Sequence, residues 1–295
     1  MNIKFLKYHK ANYAFFIILT LATIVCIVMF GLNLGIDFLG GTLWEVTFEN
    51  RPANAVIQEK LNSFNLGENI IQPTGENSVI LRFKNIDEET HQKMLVELNK
   101  ISKVEERRFE SVGPTIGKEL REKTITLIII SLIALLIYIA ISFRKLKWPI
   151  SGWQYGLVSI ITLTLDILFT LLVLILLGRF YNVQFNVAIV AALLTIMGYT
   201  INDKVIVFDR VRENVLRTRS DNFAETVDQS LNQILGRSLS TGTCTLFVLF
   251  ALFFFGGETL KYFSLTLIIG IIVGTYTSLF VASSLLVSWG LRKRG

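Results

Sequence analysis

The stretch Met197–Asn214, MGYTINDKVIVFDRVREN, starts inside an apolar run that opens near Phe185 and ends in alternating charge. Asn202, Asp203 and Lys204 therefore fall within a segment apolar enough to cross a membrane as a helix. An ionisable side chain at the centre of such a helix costs about 2.5–3.5 kcal/mol on insertion scales, and inside a membrane it marks function by default.

Working outward, the rest of the chain has the same character. Hydrophobic residues make up 52%, and the mean hydropathy is +0.54. Six runs reach membrane-spanning length: residues 12–34, 124–143, 155–177, 185–208, 237–255 and 263–289. The expected class is a polytopic α-helical membrane protein. The net charge is +6, but residues 32–122 hold four more acids than bases, so the remainder carries +10. The bases cluster beside the spans, where they set topology, and nucleic acid is not an expected partner. Basic residues occupy the N-terminal 1–11, the 144–154 loop, the 209–236 segment and the 290–295 tail. The 178–184 and 256–262 loops hold only Arg179 and Lys261. By the positive-inside rule both termini are expected in the cytoplasm.

Residues 35–123 differ in kind. Thr42–Phe48 alternates as a half-buried strand does. After Pro52, Ala55, Val56, Leu61 and Phe64 suggest the apolar side of a helix. Asn69–Gln72 and Ser78–Phe83 read as strands around a Pro73–Asn77 turn. Asp87 caps a second helix carrying Met94, Leu95, Leu98 and Ile101, and Val104–Val112 is a last strand. The order βαββαβ predicts a small α+β, ferredoxin-like domain between the first and second spans, on the extracytoplasmic side. Thr115–Lys123 reads as a charged approach to the second span.

Soluble-enzyme motifs fail. Gly113–Lys118 is one residue short of a phosphate loop, and Glu119 stands where Ser or Thr must meet magnesium. No metal cluster, nucleophile–base pair or cofactor is expected, and the chain is not expected to be an enzyme. Cys26 and Cys244 lie in apolar runs and read as small buried packing residues. His9 and His91 lie outside the spans.

Buried charge remains. Asp203 and Arg237 enter the fourth and fifth spans from the same side, so they could pair. Thr241 and Thr245 follow Arg237 on one helical face, and Asn202 could hold Asp203 by hydrogen bonding. Asp166 adds a carboxyl near the middle of the third span. A carboxyl whose proton affinity changes as a cation comes and goes can relay protons; the alternative is a static pair that locks helices. Lys204, pointing about 100° away from Asp203, is expected to snorkel. Gly270, Gly274, Ser278 and Ala282 form a small-residue stripe that suits either packing within the bundle or a partner subunit.

Four stretches resemble the SecD/SecF family. They are Gly35–Thr42 (GIDFLGGT), Val112–Gly117 (VGPTIG), Gly198–Asn214, and Leu239–Thr243 with Phe255–Gly257 and Phe263–Thr266. They span nearly the whole chain in family order. The small outer domain fits the SecF side of that family better than the SecD side, whose domain is larger. The resemblance implies an RND-related fold in the inner membrane and a complex with SecD at the SecYEG channel. It also implies that the proton motive force drives export of an unfolded polypeptide after the SecA step. It places the family's proton-flow residues at Asp203 and Arg237, with Asp166 where third-span acids occur. Lys204 departs from the family pattern. A scaffold without proton conduction is the main alternative, and small-molecule efflux a weaker one.

Overall fold

The computed structural model describes residues 3–64, 66–67, 69–143, 151–218 and 222–291. The expected basic turn Arg144–Pro149, Arg219 and the basic residues Arg292, Lys293 and Arg294 lie outside the described residues. The chain divides into two units, residues 1–33 with 127–295, and residues 34–126.

The smaller unit follows the alternation in its sequence. A short helix α2 (Ile36–Leu39) leads into strand β1 (Gly41–Phe48), then α3 (Asn54–Asn62), β2 (Ile70–Thr74), β3 (Ser78–Phe83), α4 (Glu88–Asn99) and β4 (Val104–Val112). Helix α1 (His9–Phe30) precedes them in the other unit. The sheet order is β2-β3-β1-β4, antiparallel throughout. Trp44, Val46 and Phe48 are fully buried on one face of β1, against Ile57, Leu61, Met94 and Leu98.

Two local expectations need correction. Ala55 and Val56 are exposed, and the inward positions of α3 are Ile57 and Leu61. The helix starts only at Asn54, so its phase is set by Ile57, Leu61 and Phe64 at helical spacing. Pro73 belongs to β2, opposite Val79, and the turn is shorter than expected. An edge strand tolerates proline because no outer neighbour needs its missing N–H.

A polar cluster lies on the covered face of the sheet. The Trp44 indole donates to Glu106 at 2.7 Å, and His91 Nε2 meets the same oxygen at 2.6 Å while stacking on Phe109. A register shift between Glu45 and Val46 brings Glu106 opposite Val46. Asp87 caps α4 through Thr90, whose hydroxyl and backbone N–H hold the carboxyl below its usual range. Gly40, at φ +77°, packs so closely that a Cβ would lie 2.8 Å from Pro114 Cα. The two glycine-rich stretches singled out in the sequence therefore touch each other.

The larger unit is helical. Its long elements are α1, α5 (Pro114–Ser142, begun in the smaller unit), α6 (Gly152–Tyr181), α7 (Val187–Thr218), α8 (Phe223–Phe255) and α9 (Gly257–Tyr276). A π-helical turn, Thr277–Ala282, joins α9 to α10 (Ser283–Leu291). Among the described residues six helical stretches are long and apolar enough to cross a membrane. Over half of the apolar window of α7 and of Leu260–Gly290 is buried, against 6% for α5 and 11% for the first stretch. The fourth and sixth spans are thus central and the first two peripheral. Position at the edge of the bundle corrects the expectation for the cysteines: Cys26 is half-buried and Cys244 exposed. In a chain this apolar, hydrophobic surroundings in sequence do not mean a protein core.

Helices α7 and α8 run on beyond their apolar runs. Val211 and Val215 on α7, and Val227, Leu231 and Ile234 on α8, recur at helical spacing and pack in one cluster. The chain's N-terminal segment docks at this end. Ile3 exchanges two hydrogen bonds with Asn232, and Leu6 N–H donates to Asp228.

Candidate functional site

The bundle has two apolar clusters, and its buried charge falls between them. One contains Tyr155, Val158, Ile201, Phe208 and Leu279; the other Leu174, Ile189, Leu193, Ile196, Leu267 and Ile271. Along each central helix the polar residues occupy the gap: Asp166 on α6, Thr200 to Lys204 on α7, Thr275 and Thr277 in the last span.

Helix α7 presents two polar stripes. Thr200 and Lys204 are four residues apart and share one face; Tyr199 and Asp203 share the next, about 100° away. The first stripe meets α6. Lys204 Nζ lies 2.7 Å from Asp166 Oδ2, and both side chains are fully buried. Thr277, the first residue of the π turn, donates its hydroxyl to the other oxygen, Asp166 Oδ1. Wide π turns recur at functional sites, and this one sits at the carboxylate. The Thr200 hydroxyl lies beside Asp166 yet makes no hydrogen bond of good geometry.

The expectation that Lys204 snorkels is therefore wrong. Pointing away from Asp203 leads outward only if one face of the helix is exposed. On α7 the faces that carry Asp203 and Lys204 are both interior. Taking an ammonium and a carboxylate out of water is costly, and close pairing with added hydrogen bonds offsets much of that.

The second stripe differs. Asp203 is 5% exposed. The Ser238 hydroxyl of α8 and the Thr275 hydroxyl of α9 lie beside its carboxyl, but neither completes a good hydrogen bond. The structure does not bring Arg237 to Asp203. Arg237 is exposed and makes no ion pair with a described carboxylate, while its neighbour Ser238, one helical step round, faces inward. Thr241 and Thr245 follow Arg237 on the exposed face, each donating to the carbonyl four residues back. Asn202 is exposed too.

The small-residue stripe meets α7 of this same chain. A Cβ on Gly270 would lie 2.2 Å from Ile196, and one on Gly274 would lie 2.0 Å from Thr200. Ser278 and Ala282 are fully buried in the π turn. Gly274 thus lets α9 approach the helix that carries Thr200, next to Asp166.

Sequence reasoning missed Lys204 as the partner of Asp166, and Thr277, Ser238 and Thr275 as neighbours of the carboxyls. The four-residue spacing of Thr200 and Lys204 was the available signal.

A family model described as "Protein export membrane protein SecD/SecF, C-terminal" matches residues 91–292, and a SecD/SecF GG-motif model matches 27–50. The chain belongs to the SecD/SecF family. It is 39% identical to a protein translocase subunit SecF from Thermobaculum terrenum, over 94% of this chain and 92% of that one. It is 38% identical to SecF of Vibrio alginolyticus, over 99% and 91%. SecDF from Thermus, described as a translocon-associated membrane protein, superposes at a TM-score of 0.87 with 30% identity. The match covers 99% of this chain and 39% of that one. A SecDF structure in a super-membrane-facing form gives a TM-score of 0.72, over 100% and 39%. The chain thus matches SecF proteins nearly end to end and spans about two-fifths of SecDF. It is a multi-pass membrane protein of the SecD/SecF family.

Proposed function

We propose that this chain is a subunit of the Sec protein translocase of the inner membrane, and that it works with SecD to complete export of an unfolded polypeptide through SecYEG after the SecA step. The energy source is the proton motive force, and Asp203 carries the proton, with Asp166 as a second carboxyl. The observation that carries this reading is Asp203 itself. It is a buried carboxyl in the middle of the bundle, with hydroxyls beside it and no described cation in contact. A membrane potential supplies roughly 2.3 kcal/mol per charge per 100 mV, so a proton crossing by way of that carboxyl can do work on helix packing.

In this reading the termini are cytoplasmic and residues 35–123 form a ferredoxin-like domain on the far side. The strand order β2-β3-β1-β4, with helices after β1 and β3, supports the domain type. The docking of the N-terminal segment on α8 supports the orientation, because it puts Lys4, Lys7 and Lys10 at the same end as Arg210, Arg212 and Arg217.

The test is Asp203→Asn in the assembled translocase, in vesicles where export is followed with and without a proton gradient. Expected is loss of the gradient-dependent part of export with the complex still assembled. Unchanged gradient dependence would overturn the reading. A second reading, a scaffold subunit without proton conduction, is favoured by the well-satisfied Asp166–Lys204 pair and by the outward position of Arg237. It expects the Asp203 variant to be silent.

A further inference from the structure

We propose that Lys204 is the mobile counter-ion of this site, shared in turn by Asp166 and Asp203, and that this exchange is what couples proton load to helix contacts. The inference rests on the relay reading above and assigns its cation.

Three observations carry it. Lys204 is the cation in contact with an intramembrane carboxylate among the described residues, at 2.7 Å from Asp166. It is also the residue next to Asp203 along α7, and both side chains are buried. Their Cα atoms are about 3.8 Å apart, and a four-carbon stem lets the ammonium turn through the roughly 100° between their faces. Third, hydroxyls without partners stand at both carboxyls: Thr200 beside Asp166, and Ser238 and Thr275 beside Asp203. Thr200 is fully buried and Ser238 is 2% exposed. Unpartnered buried hydroxyls are uncommon, and here they sit where a carboxyl gaining or losing its cation would need a replacement contact.

The ammonium contacts Asp166 of α6, with Thr277 beyond that carboxylate; Thr200 lies on the same face of α7 as Lys204, and Asp203 on the adjacent face. Arg237 of α8 faces outward. Two carboxyls share one ammonium, so electroneutrality allows one carboxylate and one carboxylic acid. In the state described here Asp166 is the carboxylate, paired to Lys204, and Asp203 holds the proton. In the alternate state the O–H bond of Asp203 has broken, its proton leaving on one side. An O–H bond has formed on Asp166 with a proton taken from the other side. Lys204 stays protonated and pairs with Asp203, and the total charge is zero in both states. The first state ties α7 to α6 through the ion pair. The second releases that tie and turns the ammonium toward α8 and α9. The device thus changes which helices α7 holds.

Two variants test this in assembled translocase vesicles, with Asp203→Asn as the control for the relay itself. Asp166→Asn/Lys204→Met removes both charges, so no lone ion is buried. Expected is an assembled complex whose gradient-dependent export falls on the order of a hundredfold, the lower range for loss of a positioned proton-transfer group. Lys204→Arg keeps the charge, but a planar guanidinium grips Asp166 with two donors. Expected is full assembly with strongly slowed gradient-dependent export. Normal export by either variant, or loss of assembly in both, overturns the proposal in favour of a static lock. If Asp203→Asn exports normally, the relay reading falls and takes this inference with it. If Asp203→Asn fails while the Lys204 variants export normally, only the assignment of the cation falls.

Discussion

Asp166 and Asp203 lie on neighbouring helices of one bundle, and their surroundings differ. Asp166 has an ammonium on one oxygen and a hydroxyl donor on the other. Asp203 has two hydroxyls nearby, neither in good geometry, and no described cation in contact. A buried carboxylate that is fully met holds structure together. One that is incompletely met is free to respond when a charge or a proton approaches. Asp166 is thus the anchor in this state, and Asp203 is the carboxyl free to be loaded.

That contrast can be broken in a graded way. Lys204→Met alone leaves Asp166 buried and unpaired, and is expected to have the largest effect, a loss of about 3–5 kcal/mol. Thermal unfolding in detergent measures it, and adding Asp166→Asn should recover most of the loss. If the single variant is as stable as the double, Asp166 is not anchored by Lys204. Next in size is Thr277→Val, which removes a donor to a buried carboxylate and is expected to cost roughly 1.5–3 kcal/mol. Ser238→Ala removes a hydroxyl with no hydrogen bond and is expected to cost under about 1 kcal/mol. Equal losses at Thr277 and Ser238 would erase the distinction between the two carboxyls.

A third carboxylate, Asp87, is met in a water-accessible setting. Asp87 is met by the Thr90 hydroxyl and backbone N–H, which lower its pKa in the folded state. Its cap is therefore in place at neutral pH and is lost as pH falls through that lowered value. Amide exchange in the first turn of α4, corrected for intrinsic rates, should quicken at acid pH in the parent and stay level in Asp87→Asn. This is the smallest of the expected effects.

Much of the fold was legible because its signals are local. Apolar runs give the six helical stretches, and alternation at Trp44, Val46 and Phe48 gives the buried face of β1. The limits of α7 and α8 were less visible. Val211 and Leu231 are spaced for helix packing among charged residues, and a hydropathy window averages them away. The candidate site was legible as residue types and not as pairs. Asp166, Asp203 and Lys204 stand out as charges in apolar runs. Which faces which depends on the rotation of α7 against its neighbours, and close approach at Gly270 and Gly274 sets its packing on α9. Arg237 shows the same limit, since one helical step decides whether Arg237 or Ser238 faces the carboxyl.

The most direct measurement is infrared difference spectroscopy of the reconstituted translocase as a proton gradient is applied, reading the carbonyl stretch of protonated carboxylic acids. If Asp203 carries the proton, a band responds to the gradient and disappears in Asp203→Asn. A spectrum with no such band, or one that Asp203→Asn leaves unchanged, would contradict it.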